Sequence, residues 1–183
     1  MKRAHVSKWV RARMRGAGPT FGIVVVCAGM ASEPVRAQTP LEKAQRDELF
    51  WSKRGDPAMA RAIKKARETL DAFFEVAAAP PENTRAHSVK IALRKGDQTE
   101  FVWIAPFRRN GERFIGTLNN TPRLVMPHRK GDELPFTRDE IVDWTYFEGN
   151  RMRGNFTACP LLAKSPPAEQ EAFKRNYGLS CDF

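Results

Sequence analysis

Five carboxylates crowd into the segment 132–143: Asp132, Glu133, Asp139, Glu140 and Asp143. Paired carboxylates can divide general acid and general base work when one of them has a raised pKa. A hydrolase acting on an envelope substrate would use such a pair, with Asp132, Glu140 or Asp143 as its acid–base groups. Two of these acids also have local roles. Asp132 follows Gly131, as in a turn, and Glu140 closes the capping-box pattern Thr137-Arg-Asp-Glu140. Asp143 has no such role and stands next to Trp144. Asn119-Asn120 follows an apolar run, where amide side chains suit either a polar ligand or a left-handed turn. Trp144 would serve a binding surface with Tyr146, or pack in the core with its N–H satisfied by a neighbour. The candidate binding residues are therefore Thr117, Asn119, Asn120, Asp132, Asp143 and Trp144.

Other chemistries lack their residues. The chain beyond its leader holds two histidines, His87 and His128, and neither has a partner at metal-ligand spacing. Ser52, Ser88, Ser165 and Ser180 lie outside any Gly-x-Ser-x-Gly elbow. The glycines are spaced as turns and build no phosphate cradle. No catalytic residue, metal site or cofactor is assigned on these grounds.

The formal charge of +10 suggests nucleic acid at first sight. Seven of the 31 Lys and Arg lie in residues 1–37, against the single acid Glu33. From Gln38 onward, 24 basic and 20 acidic side chains leave +4, a charge that names no partner. The basic start precedes the apolar run Phe21–Ala31, then Pro34 and Val35-Arg36-Ala37. A run of that length suits a signal peptide and is short for a membrane span. Cleavage is expected after Ala37, leaving no stable membrane span and a periplasmic or secreted protein. Translation from Met14 would give a leader of more ordinary length. Export would leave Cys159 and Cys181 in an oxidising compartment, where such a pair is expected to bond. Closing that loop stabilises by roughly 3 kcal/mol in the chain-entropy picture.

The elements that must position these groups follow from patterning. Residues 38–55 read as a polar arm, with a short helix between Pro40 and Ser52. Asp56-Pro57 opens an amphipathic helix whose apolar positions are Met59, Ile63, Ala66, Leu70, Phe73, Phe74 and Ala77, ended by Pro80-Pro81. Its basic outer face reads as solvated rather than as a nucleic-acid surface. Val89, Ile91 and Leu93 alternate as a strand, and Glu100–Phe107 is a second. Asn110-Gly111 turns into a third strand at Phe114–Leu118. Gly131-Asp132 turns the chain before Glu133–Phe136, a further strand is expected at Ile141–Phe147, and a last alternation runs through Met152, Gly154, Phe156 and Ala158. Pro166-Pro167 opens a short helix bearing Phe173 and Tyr177, with Gly178 at its end. The fold class is α+β: an N-terminal amphipathic helix on a mainly antiparallel, strongly curved sheet, with a short C-terminal helix.

The order Gly116-Thr-Leu-Asn-Asn120, Lys130-Gly-Asp132, Phe136, Ile141-x-Asp-Trp144 and Gly154-Asn-Phe-Thr157 resembles a bacterial family, domain of unknown function 2314 (YegJ-like). The resemblance covers roughly 56–164 and leaves 165–183 as a C-terminal helix and tail. It implies a small α+β domain, often exported, and carries no catalytic residue across. Leader, cysteine pair and missing catalytic constellation together suggest a non-enzymatic binding module of the cell envelope. Its partner would be a protein or polar ligand, with an immunity or inhibitor protein as one version. The alternative is the envelope hydrolase.

Overall fold

A computed structural model of the chain describes residues 56–125 and 127–183. The expected leader, the arm at 38–55 with its short helix, and Met126 lie outside the described residues. Helices α1 (Pro57–Glu68) and α2 (Leu70–Ala78) precede six strands: β1 (Thr84–Lys95), β2 (Gln98–Asn110), β3 (Arg113–Leu118), β4 (Glu133–Phe136), β5 (Ile141–Glu148) and β6 (Arg151–Gly154). Helices α3 (Cys159–Leu162) and α4 (Pro167–Tyr177) follow. The strands form one open antiparallel sheet in the order β4-β3-β2-β1-β5-β6. The protein is α+β, as its patterning indicates.

The first helix starts where its cap residues place it. The Asp56 carboxylate accepts the N–H groups of Ala58 and Met59 at 2.9 and 3.4 Å, and Pro57 occupies a position that needs no N–H partner. Met59, Ala62, Ala66, Leu70 and Phe73 form the buried stripe. It packs on Val89, Ile91, Val102, Ile104, Ile141 and Trp144 of the sheet. What reads in sequence as a single helix is broken at Thr69. There the Trp144 indole N–H donates to the Ala66 carbonyl at 3.0 Å, and the Thr69 hydroxyl donates to the Lys65 carbonyl at 2.8 Å. A side chain entering the helical ladder is a recognised cause of such a break.

The sheet forks. The β1–β2 ladder runs from Lys95↔Gln98 to Val89↔Ile104 and stops. Beyond that point β1 pairs with β5 alone and β2 with β3 alone. Both strands are irregular at this level: β1 between Arg85 and Ser88, and β2 between Ile104 and Phe107. Ala86 has φ 58°, a left-handed conformation that costs a non-glycine residue roughly 1–2 kcal/mol. In β2 the irregularity holds Pro106, which has no N–H for a ladder. Gly116 lies across from it, and a Cβ there would come within 2.3 Å of the Ile104 side chain and 2.9 Å of the Pro106 carbonyl.

The last alternation read from the sequence is only partly strand. β6 ends at Gly154 (φ 73°), and Asn155 follows in left-handed conformation with φ 55°. Phe156–Ala158 then forms a 3-10 turn leading into α3. Met152, Ala158, Cys159, Leu162, Phe173 and Leu179 build a second small core beneath α4. The Cys159–Cys181 disulfide ties the C-terminal tail to the first residue of α3. With a sequence separation of 22, it restrains the unfolded chain by about 3 kcal/mol.

Gly154 is where the chain leaves the sheet. A Cβ there would sit 2.2 Å from the Trp144 carbonyl oxygen and 2.5 Å from its ring, at a backbone conformation that side chains disfavour. Gly154→Ala is expected to lower stability by roughly 3 kcal/mol, combining overpacking with left-handed strain. Urea unfolding measures this directly. A loss below about 1 kcal/mol would mean that the close approach to Trp144 is dispensable.

Candidate functional site

Asp143, the acid without a local explanation in sequence, is fully buried at the β5 edge. Its Oδ1 accepts the N–H groups of Trp144 at 2.9 Å and Phe156 at 3.2 Å. Its Oδ2 accepts the N–H of Thr157 at 2.8 Å and the Thr157 hydroxyl at 2.5 Å. Lys90, directly across from Asp143 in the β1–β5 register, donates to the Thr157 hydroxyl oxygen at 3.1 Å. The Lys90 ammonium also lies 4.6 Å from the centre of the Trp103 ring. Burial pushes the Asp143 carboxyl above its ordinary pKa, while the Lys90 charge and the hydrogen bonds from Thr157 and Trp144 pull the other way. This carboxylate holds the 155–158 segment against the sheet edge.

The other sequence candidates serve different contacts. The Asn120 side-chain oxygen accepts the N–H of Trp103 at 2.9 Å, and the Asn119 N–H donates to the Trp103 carbonyl at 2.8 Å. The Asn119 side chain is exposed and Thr117 is half-buried opposite Glu133. Asp132 accepts the Arg129 N–H at 2.8 Å within its own turn. Glu140 accepts the Thr137 N–H at 2.6 Å and the Thr137 hydroxyl at 3.0 Å, completing the capping box. Trp144 is buried, with its ring stacked 5.0 Å from Phe73.

Sequence reading passed over Glu100. Its buried carboxylate accepts the N–H groups of Arg123, Leu124 and Val125 at 2.7–3.1 Å and so pins the loop that starts at Asn119. An acid opening the apolar run Phe101–Ile104, on the inward phase of a strand, was the available signal.

The structure places a cavity elsewhere, in the fork between β1 and β2. Its volume is about 630 Å³, within the range of roughly 300–1,000 Å³ usual for small-molecule sites. Phe74, Ala77 and Ala78 of α2 form one wall. Ala86 and His87 of β1, the run Ala105–Arg109 of β2 and Phe114 of β3 form the rest. The rings support one another: Phe74 stacks on Phe114 at 5.0 Å and meets Phe107 edge-on at 6.3 Å. His87 stacks on Tyr146 at 5.2 Å. Its Nε2 is the buried side-chain nitrogen or oxygen that lacks a hydrogen-bond partner among the described residues. Burial lowers the His87 pKa, so the ring is neutral at neutral pH and Nε2 can donate or accept according to tautomer. None of Thr117, Asn119, Asn120, Asp132, Asp143 and Trp144 lines this cavity.

Asp143→Asn is isosteric, but whichever carboxylate oxygen its NH₂ replaces, it faces a backbone N–H that can only donate. It is expected to destabilise the protein by about 3 kcal/mol in urea unfolding, the scale for leaving buried polar groups mismatched. A carboxylate serving only a substrate would give variants of wild-type or higher stability, and that result would contradict the structural role.

The chain is 32% identical over 117 residues to a protein of Escherichia coli (strain K12) named "Uncharacterized protein YegJ", covering 64% of this chain and 75% of that one. No solved structure matches. The family described as "Uncharacterized protein conserved in bacteria (DUF2314)" matches over residues 56–183, from the N-cap of α1 through α4 to the C-terminus. Gly116, Asp143, Trp144, Gly154 and Thr157, among the residues that carried the resemblance, hold the fork, the helix break and the chain's exit from the sheet, and the chain belongs to this bacterial family.

Proposed function

We propose that the protein is an exported, non-enzymatic binding module of the bacterial cell envelope, and that its ligand site is the cavity in the fork of the sheet. The observation that carries this reading is an aromatic cavity lined by His87, whose Nε2 is buried without a protein partner. Buried polar groups in folded proteins are nearly always paired. A mostly apolar cavity with a few polar side chains, here His87 and Arg109, is the usual composition of a small-molecule site. The backbone strain at Ala86 lies on the same wall, and such strain gathers at ligand sites.

Export is supported by the leader-like sequence and by the Cys159–Cys181 disulfide, a bond characteristic of oxidising compartments. No helix among the described residues is long and apolar enough to cross a membrane. The hydrolase reading has less to support it. Asp132, Glu140 and Asp143 are each engaged by nearby donors, and no carboxylate among the described residues lines the cavity.

The neutral dye N-phenyl-1-naphthylamine, which fluoresces in apolar surroundings, tests the site. The chain beginning at Gln38 is expected to give saturable enhancement with one site per molecule. Ala77→Phe and Ala78→Phe, which fill the wall formed by α2, are expected to weaken dye binding at least about tenfold while near-UV circular dichroism stays native. Enhancement that does not saturate, or that both variants leave unchanged, would overturn the assignment.

A further inference from the structure

We infer that the ligand of this cavity is a single-chain anionic amphiphile, an alkyl or acyl chain ending in a carboxylate or phosphate. The inference rests on the cavity being the ligand site and concerns what fills it. The interior asks for an apolar body: Phe74, Phe107 and Phe114 hold one another by ring contacts, and Ala77 and Pro106 complete the walls. The charged lining residues are both arginines, Arg108 and Arg109.

The two arginines differ in how they are held. Arg108 pairs with Glu133 at 3.0 Å on the sheet face away from Phe114, where both side chains are more than half exposed. The Arg109 guanidinium lies 5.9 Å from the centre of the Phe114 ring and makes no ion pair with the described residues. A nearby acid, Asp71, is taken by Arg138, whose hydrogen bond is the main cause of its lowered pKa, with a smaller contribution from the Arg109 charge. A planar guanidinium seated on an aromatic ring presents its donor fork to carboxylate or phosphate oxygens.

Orientation follows from the opposite wall. Ala77 and Ala78 are the last residues of α2, whose C-terminal carbonyls carry partial negative charge. An anion is disfavoured at that wall and favoured at Arg109, which shares the Phe114 face of the sheet. The head therefore lies at Arg109 and the chain runs toward the alanines. A cationic head would meet the Arg109 guanidinium, and a neutral one would leave its fork unused.

Displacement of N-phenyl-1-naphthylamine from the chain beginning at Gln38 tests this, with all competitors below their micelle concentrations. Dodecanoate and lauroyl-lysophosphatidylglycerol supply the anion from a free acid and from a lipid headgroup; dodecanol and dodecyltrimethylammonium are the neutral and cationic counterparts. At least one anion is expected to displace the dye at a concentration at least about tenfold lower than dodecanol, and the ammonium compound is expected to be weakest. The more potent anion identifies the head. Arg109→Ala is expected to bring the anion-to-alcohol ratio close to one, and Arg109→Lys to keep part of it. Equal displacement by anions and alcohol, or a ratio that survives Arg109→Ala, would overturn the anionic head while leaving the cavity as an apolar site. Absence of dye binding would remove the cavity reading and this inference together.

Discussion

A single buried carboxylate governs how this chain leaves its sheet. Asp143 gathers the N–H groups of Trp144, Phe156 and Thr157 and the Thr157 hydroxyl around two oxygens. Without those donors, its burial would cost several kcal/mol; with them, the turn 156–158 has one place to lie. Lys90 reaches the same hydroxyl from the neighbouring strand and joins β1 to the arrangement. The turn then brings Cys159 to the tail, where the disulfide closes the second core.

The residue after Asp143 carries the effect to the other face. Trp144 donates to the Ala66 carbonyl and stacks on Phe73, so the helix breaks at Thr69 over the middle of the sheet. The second half of the helix supplies Phe74, Ala77 and Ala78 to the cavity. The fork beneath it arises from two irregular strands at one level, each still paired on its outer side. Gly116 lets β3 approach the Pro106 irregularity. The hub and the cavity are thus separate places joined through one tryptophan, one stabilising the fold and the other open to a ligand.

Local signals made much of this legible. Asp56-Pro57 marks the start of α1, Asn110-Gly111 joins β2 to β3, and Thr137 to Glu140 forms its capping box. The cysteine pair could be read from the leader-like start and the cysteine number alone, and it is bonded. The helix break could not be read, because Thr69 is acceptable in a helix and its disruption comes from Trp144, far along the chain. Phe156 and Ala158 continue a strand alternation in sequence, but the bonds to Asp143 draw them into a 3-10 turn. The cavity was hidden for a similar reason. It depends on Ala86 and Pro106 lying at one level of adjacent strands, a matter of register rather than of motif. Asp143 and Trp144 did stand out in sequence, and they hold the architecture together while lying outside the cavity lining.

The central claim is that ligand enters the fork and leaves the Asp143 hub and the Asn119-Asn120 loop untouched. Amide chemical-shift mapping during titration with N-phenyl-1-naphthylamine tests it most directly. The account predicts shifts concentrated at Ala77, Ala86, His87, Phe107 and Phe114, with Asn119, Asn120, Asp143 and Thr157 unmoved. Shifts centred on the Asn119-Asn120 loop or on Asp143, with the fork residues still, would contradict it.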